Sequence, residues 1–397
     1  MIQDSPILEE LADEGLASGV EAEGEELESY ETIEPFDPAS ISITSKPIAL
    51  DTVLRRIRSG TINLAPAFQR GFVWDKKRKS ELIESMVLRI PLPMFYVAED
   101  AKGVWEVVDG LQRLSTIRDF ILGPDSDGKG DILSDLEFIK ILNGKNYFML
   151  ERDEKAIRFQ NNIMETVLSF TIISPDTPEK VKRNVFKRIN TGGMRLSDQE
   201  IRHALYQGVS SKLLIELVLS DEYKLATENS VKDNRMAGRE LILRYFAFNL
   251  LGRDNFKAPL TTMDDFLSEA MLFINESNKN ESHKSMLNKA IDSFFVGLER
   301  SVLLFEGHAF RTSIISDSRK TPINKALFEV WINILSELSE SNFNVLMSKK
   351  STFWELYKVE LDNVELKNSI SRYGGSAKGS VERYNKLKKM IASLIGD

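Results

Sequence analysis

The sequence predicts an α+β domain followed by an all-α domain, behind an acidic N-terminal tail. Three observations carry this. Two short runs of β-forming residues, Met94 to Ala98 and Val104 to Val108, flank a Gly-containing loop and lead into an Asp-Gly corner. From about residue 210 onward the apolar residues recur at helical spacing, and nothing there reads as a strand. Residues 1–37 hold 13 Asp or Glu and no Lys or Arg, a composition that favours a solvated, disordered segment. The expected divisions are therefore a tail at 1–38, an α+β domain at 39–209 and a helical domain at 210–397.

Taken in order, residues 48 to 59 carry Leu50, Val53, Leu54 and Ile57 on one helical face and stop at Gly60. Ile62 to Leu64 leads into Pro66 through Trp74, too rich in Pro and Gly for a regular element and too aromatic for an idle linker. Asp75 can cap a helix over 76–90 whose apolar face is Leu82, Ile83, Met86, Val87 and Ile90, with Pro91 and Pro93 ending it. The two strands follow, joined by a hairpin loop at 99–103. A helix begins at Asp109-Gly110-Leu111-Gln112-Arg113 and turns Leu114, Ile117, Ile121 and Leu122 inward. Residues 123–165 read as a variable stretch with Gly and Asp turns, and 168–173 as another strand. Thr177-Pro178-Glu179 opens a helix that Asn190-Thr191-Gly192-Gly193 closes, and Ser197-Asp198-Gln199-Glu200 is a capping box for the next.

Composition excludes several chemistries. Cys is absent, which removes disulfides, thiolate nucleophiles and Cys-ligated metals. His203, His283 and His308 stand in no metal-binding spacing. No apolar run is long enough to span a bilayer and no signal peptide precedes the chain, so a cytoplasmic protein with no membrane association is expected.

The net charge of −8 is unevenly spread: without the tail, 52 basic residues face 47 acidic ones, a body of +5. Arg55, Arg56, Arg58, Arg70, Lys76, Lys77, Arg78, Lys79 and Arg89 fall close together, as do Lys180, Lys182, Arg183, Lys187, Arg188, Arg195 and Arg202. Such concentrations suit polyanions, DNA above all, although a run like 76–79 also serves simply as the wet face of a helix. The acidic tail is expected either to compete with DNA for these faces or to keep the protein soluble or meet another chain.

Three segments carry candidate chemistry. The strand-Asp109-Gly110-Leu111-Gln112-Arg113-helix corner combines a tight turn, helix-start amides, a carboxylate and a guanidinium, a place where an anion can sit. Asp109 could position a divalent metal or a water while Arg113 neutralises phosphate oxygens; a capping Asp with a solvated Arg is the plainer account. Phe68, Gln69, Arg70 and Trp74 offer stacking and a phosphate fork, or else aromatic core plugs with a paired Arg. Phe186 through Glu200 is mostly helix-loop-helix grammar, in which Asn190 and the glycines either close over a ligand or cap a helix.

In this order and wording, the Phe68-Gln69-Arg70 to Trp74 loop, Ile90-Pro91-Leu92-Pro93, Val108-Asp109-Gly110-Leu111-Gln112-Arg113-Leu114 and Phe186 to Glu200 resemble the N-terminal domain of GmrSD-type restriction endonucleases, over about residues 40–210. The resemblance implies a ParB/sulfiredoxin-like α+β scaffold that binds or hydrolyses a nucleoside triphosphate, with Mg²⁺, in phage defence and modification-dependent DNA restriction. It implies Asp109, Gly110, Gln112 and Arg113 in the nucleotide loop, Asp109 and Arg113 being the candidate catalytic pair and Asp109 the candidate metal ligand. Gln69, Arg70 and Trp74 fall in a neighbouring pocket, and Arg188 and Asn190 join the candidate nucleotide contacts.

Two departures stand out. Leu111 replaces the first Gln of the family's Asp-Gly-Gln-Gln-Arg loop, which removes an amide that could orient phosphate or water. Three scattered histidines cannot supply the family's HNH nuclease motif, so no cutting by that route is expected of this chain. The expected function is a nucleotide-responsive DNA-recognition component, with NTP hydrolysis open, working with DNA, a partner nuclease subunit or further copies of itself. The alternative is a non-catalytic DNA- or partner-binding protein on the same scaffold.

Overall fold

The computed structural model describes residues 8–11, 17–23, 42–64, 74–123, 130–189, 197–257, 261–315 and 319–396. The chain divides into two compact units, Ile33–Leu196 on one side and Met1–Thr32 with Ser197–Asp397 on the other. The second unit thus begins at the capping-box serine, earlier than the expected division at 210, and takes in the N-terminal segment.

That segment corrects the expectation of a tail disordered throughout 1–38. Strands β1 (Glu9–Leu11) and β2 (Ala17–Glu21) pair antiparallel. Val20 is fully buried in the core of the helical unit. Composition argued for disorder because acidic side chains are normally solvated; here several are matched by buried cations, which composition alone does not reveal.

The first unit is mixed α+β. Its elements run β3 (Ile43–Ala49), α1 (Leu50–Arg58), β4 (Ile62–Asn63), α2 (Lys76–Val87), β5 (Phe95–Glu99), β6 (Trp105–Asp109), α3 (Leu111–Leu122), α4 (Tyr147–Glu151), α5 (Ile157–Met164), β7 (Val167–Ile173) and α6 (Glu179–Ile189). The strands form one sheet in the order β3-β7-β5-β6-β4. β5 pairs antiparallel with β6 and parallel with β7, and β3 closes one edge antiparallel to β7 with Ile43 opposite Ile173. Alternation decides the buried face: Phe95, Val97, Trp105, Val107 and Phe170 point inward, where the Phe95 and Phe170 rings stack with centroids 5.2 Å apart. Against them pack Leu50, Val53 and Leu54 of α1, Ile83 and Met86 of α2, and Leu114, Ile117 and Phe120 of α3.

Several boundaries differ from expectation. Ile48 and Ala49 end β3 rather than opening α1. The α2 helix stops at Val87, because Arg89 takes a left-handed φ of 58° ahead of the Pro91 and Pro93 that could not continue it. The stretch 123–165 holds α4 and α5, helices too short for their periodicity to stand out.

The helical unit contains α7 (Asp198–Leu205), α8 (Val209–Leu219), α9 (Asp221–Ala226), α10 (Ala237–Leu250), α11 (Met263–Glu276), α12 (Glu281–Phe305), α13 (Lys325–Glu337), α14 (Glu340–Ser348), α15 (Lys350–Asp362), α16 (Val364–Ile370) and α17 (Ala377–Ile395). Helices α10 and α13 are buried on nearly every side. Their charged residues therefore need partners inside the unit. Among the described residues no helix is long and apolar enough to cross a membrane.

Candidate functional site

The corner between β6 and α3 is built as the sequence suggests, and its parts are more occupied with one another than expected. Strand β6 ends at Asp109, and Gly110 turns the chain with φ 95° and ψ 10° into the first turn of α3. Only glycine fits there. Besides the left-handed backbone, a Cβ on Gly110 would lie 2.4 Å from Cδ1 of Phe95. Among the described residues no side chain caps α3, so its first-turn amides have no side-chain partner there and suit an anion.

Arg113 folds back over this corner. Its Nη2 donates to Asp109 Oδ2 at 2.8 Å and to the Met94 carbonyl at 3.2 Å, Nη1 donates to the Pro93 carbonyl, and the guanidinium lies 4.5 Å from the centre of the Phe95 ring. The Arg113 side chain is 11% exposed and that of Asp109 43%. Burial depresses the guanidinium pKa and Asp109 opposes it. Arg113 thus joins α3 to the Ile90-Pro91-Leu92-Pro93 turn and the start of β5, which neither a solvated Arg nor a free phosphate ligand would do.

The remaining predicted residues separate. Gln112 stands partly buried at the start of α3, with its Oε1 buried and unpartnered. Trp74 is partly buried against the core of the first unit, and so is Leu111. The Leu that departs from the family's loop is therefore a packing residue. Gln69, Arg70 and Asn190 lie outside the described residues, as does the Arg188 side chain on α6.

A cavity of about 300 Å³ adjoins the same helix. Lys76, Lys79, Ser80 and Ile83 of α2 line it with Thr116 and Phe120 of α3 and residues 130–133. Thr116 follows Gln112 by one helical turn, and its hydroxyl donates to the Gln112 carbonyl at 2.8 Å, so the corner and the cavity share one side of α3. Lys79 Nζ reaches Asp131 at 2.8 Å and Asp119 at 4.0 Å. Burial pushes the Asp119 carboxyl up against the pull of Arg118 and Lys79. Sequence reasoning passed over this cavity because residues 130–133 come together with α2 only in the fold.

The basic concentrations sort themselves by environment. Arg55, Arg58, Lys76, Lys77 and Arg78 are exposed, while Arg56 lies on the Trp105 ring at 3.7 Å. Of the second group, Lys182, Arg183 and Arg202 are buried, and the side chains of Lys180, Lys187, Arg188 and Arg195 lie outside the described residues. Arg202 belongs to an internal network with Glu240 and Asp264.

As a site for a nucleotide, the corner offers uncapped amides, a feature suited to phosphate, whereas the room that Gly110 leaves is filled by the Phe95 ring. For Mg²⁺ the fit is thinner. Asp109 already gives one oxygen to Arg113, and no group of three His, Asp or Glu close enough to hold a metal occurs among the described residues.

A mixed α+β domain with this strand-glycine-helix corner defines the class. Residues 50–207 match the family model described as the N-terminal domain of GmrSD restriction endonuclease, which supports a domain of that family in this part of the chain. No curated protein and no solved structure matches the chain significantly.

Proposed function

We propose that the chain is the nucleotide-responsive DNA-recognition component of a phage-defence or modification-dependent restriction system, without an HNH nuclease of its own. The observation that carries this reading is the uncapped α3 start at Gly110, inside a domain of the GmrSD N-terminal family. The phosphates of an NTP lie against the first-turn amides of α3, with Asp109 facing any accompanying Mg²⁺. The Lys76-Lys79-Thr116 cavity takes the rest of the nucleotide. Gln69, Arg70, Arg188 and Asn190 are contributed from neighbouring segments. DNA meets the exposed cations at the start of α2 and along α1, contacts that position the duplex without reading its sequence. The scaffold is ParB/sulfiredoxin-like, the setting is the cytoplasm, and a separate nuclease subunit does the cutting.

A second reading, a binding scaffold with no hydrolysis, is favoured by one observation: Arg113 is already engaged by Asp109, Pro93 and Met94. An Arg committed to bracing the fold contributes less to a developing phosphate charge than a free one.

The test incubates the full chain with each NTP and Mg²⁺, with and without modified or plain DNA, and follows nucleotide binding, phosphate release and DNA integrity. Nucleotide binding that alters the response to DNA, with or without phosphate release, supports the first reading, and DNA binding that no NTP alters supports the second. No affinity for any NTP sinks the first reading.

A further inference from the structure

Around Glu240, among the described residues, buried cations of the helices outnumber the carboxylates they meet on the helices. Glu240 of α10 is approached by Arg202 of α7 at 3.2 Å, Arg244 of its own helix at 3.2 Å and Lys325 of α13 at 2.8 Å. Asp264 of α11 takes a second contact from Arg202. Three cations thus face two carboxylates.

The segment that holds β1 and β2 brings two further carboxylates to these cations. Glu23 receives both terminal nitrogens of Arg244, Nη1 donating to Oε1 at 2.7 Å, and Glu10 pairs with Lys325. Beside them Asn324 Nδ2 donates to Glu21 Oε2 at 2.9 Å. With the segment in place the side chains of Arg244 and Lys325 are only 3% and 5% exposed, so carboxylates rather than water serve as their partners. Burial pushes the Glu23 carboxyl up, but Arg244 and Lys325 override it and hold the group below the ordinary carboxylate range.

The segment is also seated against residues 230–232, where the buried Ser18 accepts the Lys232 N–H on its carbonyl at 2.8 Å. Val20 is the fully buried apolar anchor. The backbone adds strand-like bonds, Glu21 N–H to the Ile323 carbonyl at 2.8 Å and Ile323 N–H to the Gly19 carbonyl at 2.9 Å.

We infer that the helical unit holds an anion-binding cleft formed by Arg244, Asn324 and Lys325, that the chain's own acidic strand segment is its resident ligand, and that an acidic peptide in extended conformation can take its place. Carboxylates seat the ligand, and main-chain pairing sets its register. The acidic segment is therefore a tethered occupant, and a partner that presents a similar strand competes with it.

The experiment uses the full chain and its Glu10→Gln/Glu23→Gln variant with a fluorescent peptide of the sequence 8–23. In the variant, amide exchange at Glu21 and Ile323 should quicken at least tenfold. The variant should then bind the peptide, while the unmodified chain excludes it. A peptide carrying Gln at both positions should bind at least tenfold more weakly. Unchanged exchange would show that the carboxylates do not hold the segment, and a released segment with no peptide capture would show that there is no cleft; either result overturns the inference. If circular dichroism shows the double variant unfolded, Glu10→Gln alone is read by the same exchange, with threefold acceleration supporting the inference and none overturning it.

Discussion

Arg113 Nη2 stands 2.8 Å from Asp109 Oδ2, one helical turn away in the chain, and the same guanidinium holds the carbonyls of Pro93 and Met94. A single side chain thereby ties the glycine corner to the proline turn. Arg113→Ala leaves these acceptors in a largely buried place and should destabilise the first unit by roughly 1.5–3 kcal/mol, the range for hydrogen bonds to charged groups. Arg113→Lys keeps the charge but loses the fork, so chemical denaturation should place it between wild type and Ala. A midpoint unchanged in Arg113→Ala would mean that the brace is not made in solution.

Gly110 is a sharper test of the corner. Gly110→Ala forces a left-handed φ of 95° on a residue with a Cβ and drives that atom to 2.4 Å from the Phe95 ring. Backbone strain alone is worth about 1–3 kcal/mol, and displacement of Phe95 from its stack on Phe170 adds to it. The variant should melt clearly below wild type and lose any nucleotide affinity together with its fold. Wild-type melting in Gly110→Ala would contradict the close Phe95 contact.

Glu84 shows how one buried carboxylate shapes the loop after α3. Its oxygens accept the backbone N–H groups of Glu137 at 3.1 Å, Phe138 at 2.8 Å and Ile139 at 2.7 Å. Glu84→Gln replaces one acceptor oxygen by a donor that faces these amides. A loss of about 1–3 kcal/mol is expected, with faster amide exchange at 137–139 while β5 and β6 stay protected. Equal protection of the loop in variant and wild type would remove Glu84 from this role.

Local grammar explains what was legible in the sequence. The Asp75 cap on Arg78 N–H, the capping box of Ser197 and Glu200, the β5-β6 hairpin and the glycine corner each follow from residues within a few positions of one another. Features set by distant partners were not legible. Strand β3 has no strong alternation, since most of its side chains are exposed, and gains its place by pairing with β7 across more than a hundred residues. The order of Glu10 and Glu23 depends on Lys325 and Arg244 far along the chain. At the candidate site the residue types were readable, but the engagement of Arg113 was not, because Pro93 and Met94 contribute backbone carbonyls that no side-chain motif encodes.

His203 gives a pH dependence whose direction is fixed by its surroundings. The ring is buried on α7 with Nδ1 unpartnered, and burial, aided by the nearby Arg239 charge, pushes its pKa down to about 4. In the unfolded chain the group takes up a proton near its ordinary value of about 6.5, whereas the native ring stays neutral until about pH 4. Between these values the unfolded state binds more protons, so stability is fully present above about pH 6.5 and declines as the pH falls toward 4. The difference of roughly 2.5 units corresponds to about 3 kcal/mol at the acid end. Glu10 and Glu21, whose carboxyls burial raises, work in the opposite sense over part of the same range, and comparison with a variant cancels them. His203→Gln should therefore flatten the stability profile of the helical unit between pH 4 and 6.5 relative to wild type. Parallel profiles for the two proteins across that window, measured by chemical denaturation, would show that His203 protonates in the native state as readily as in the unfolded one.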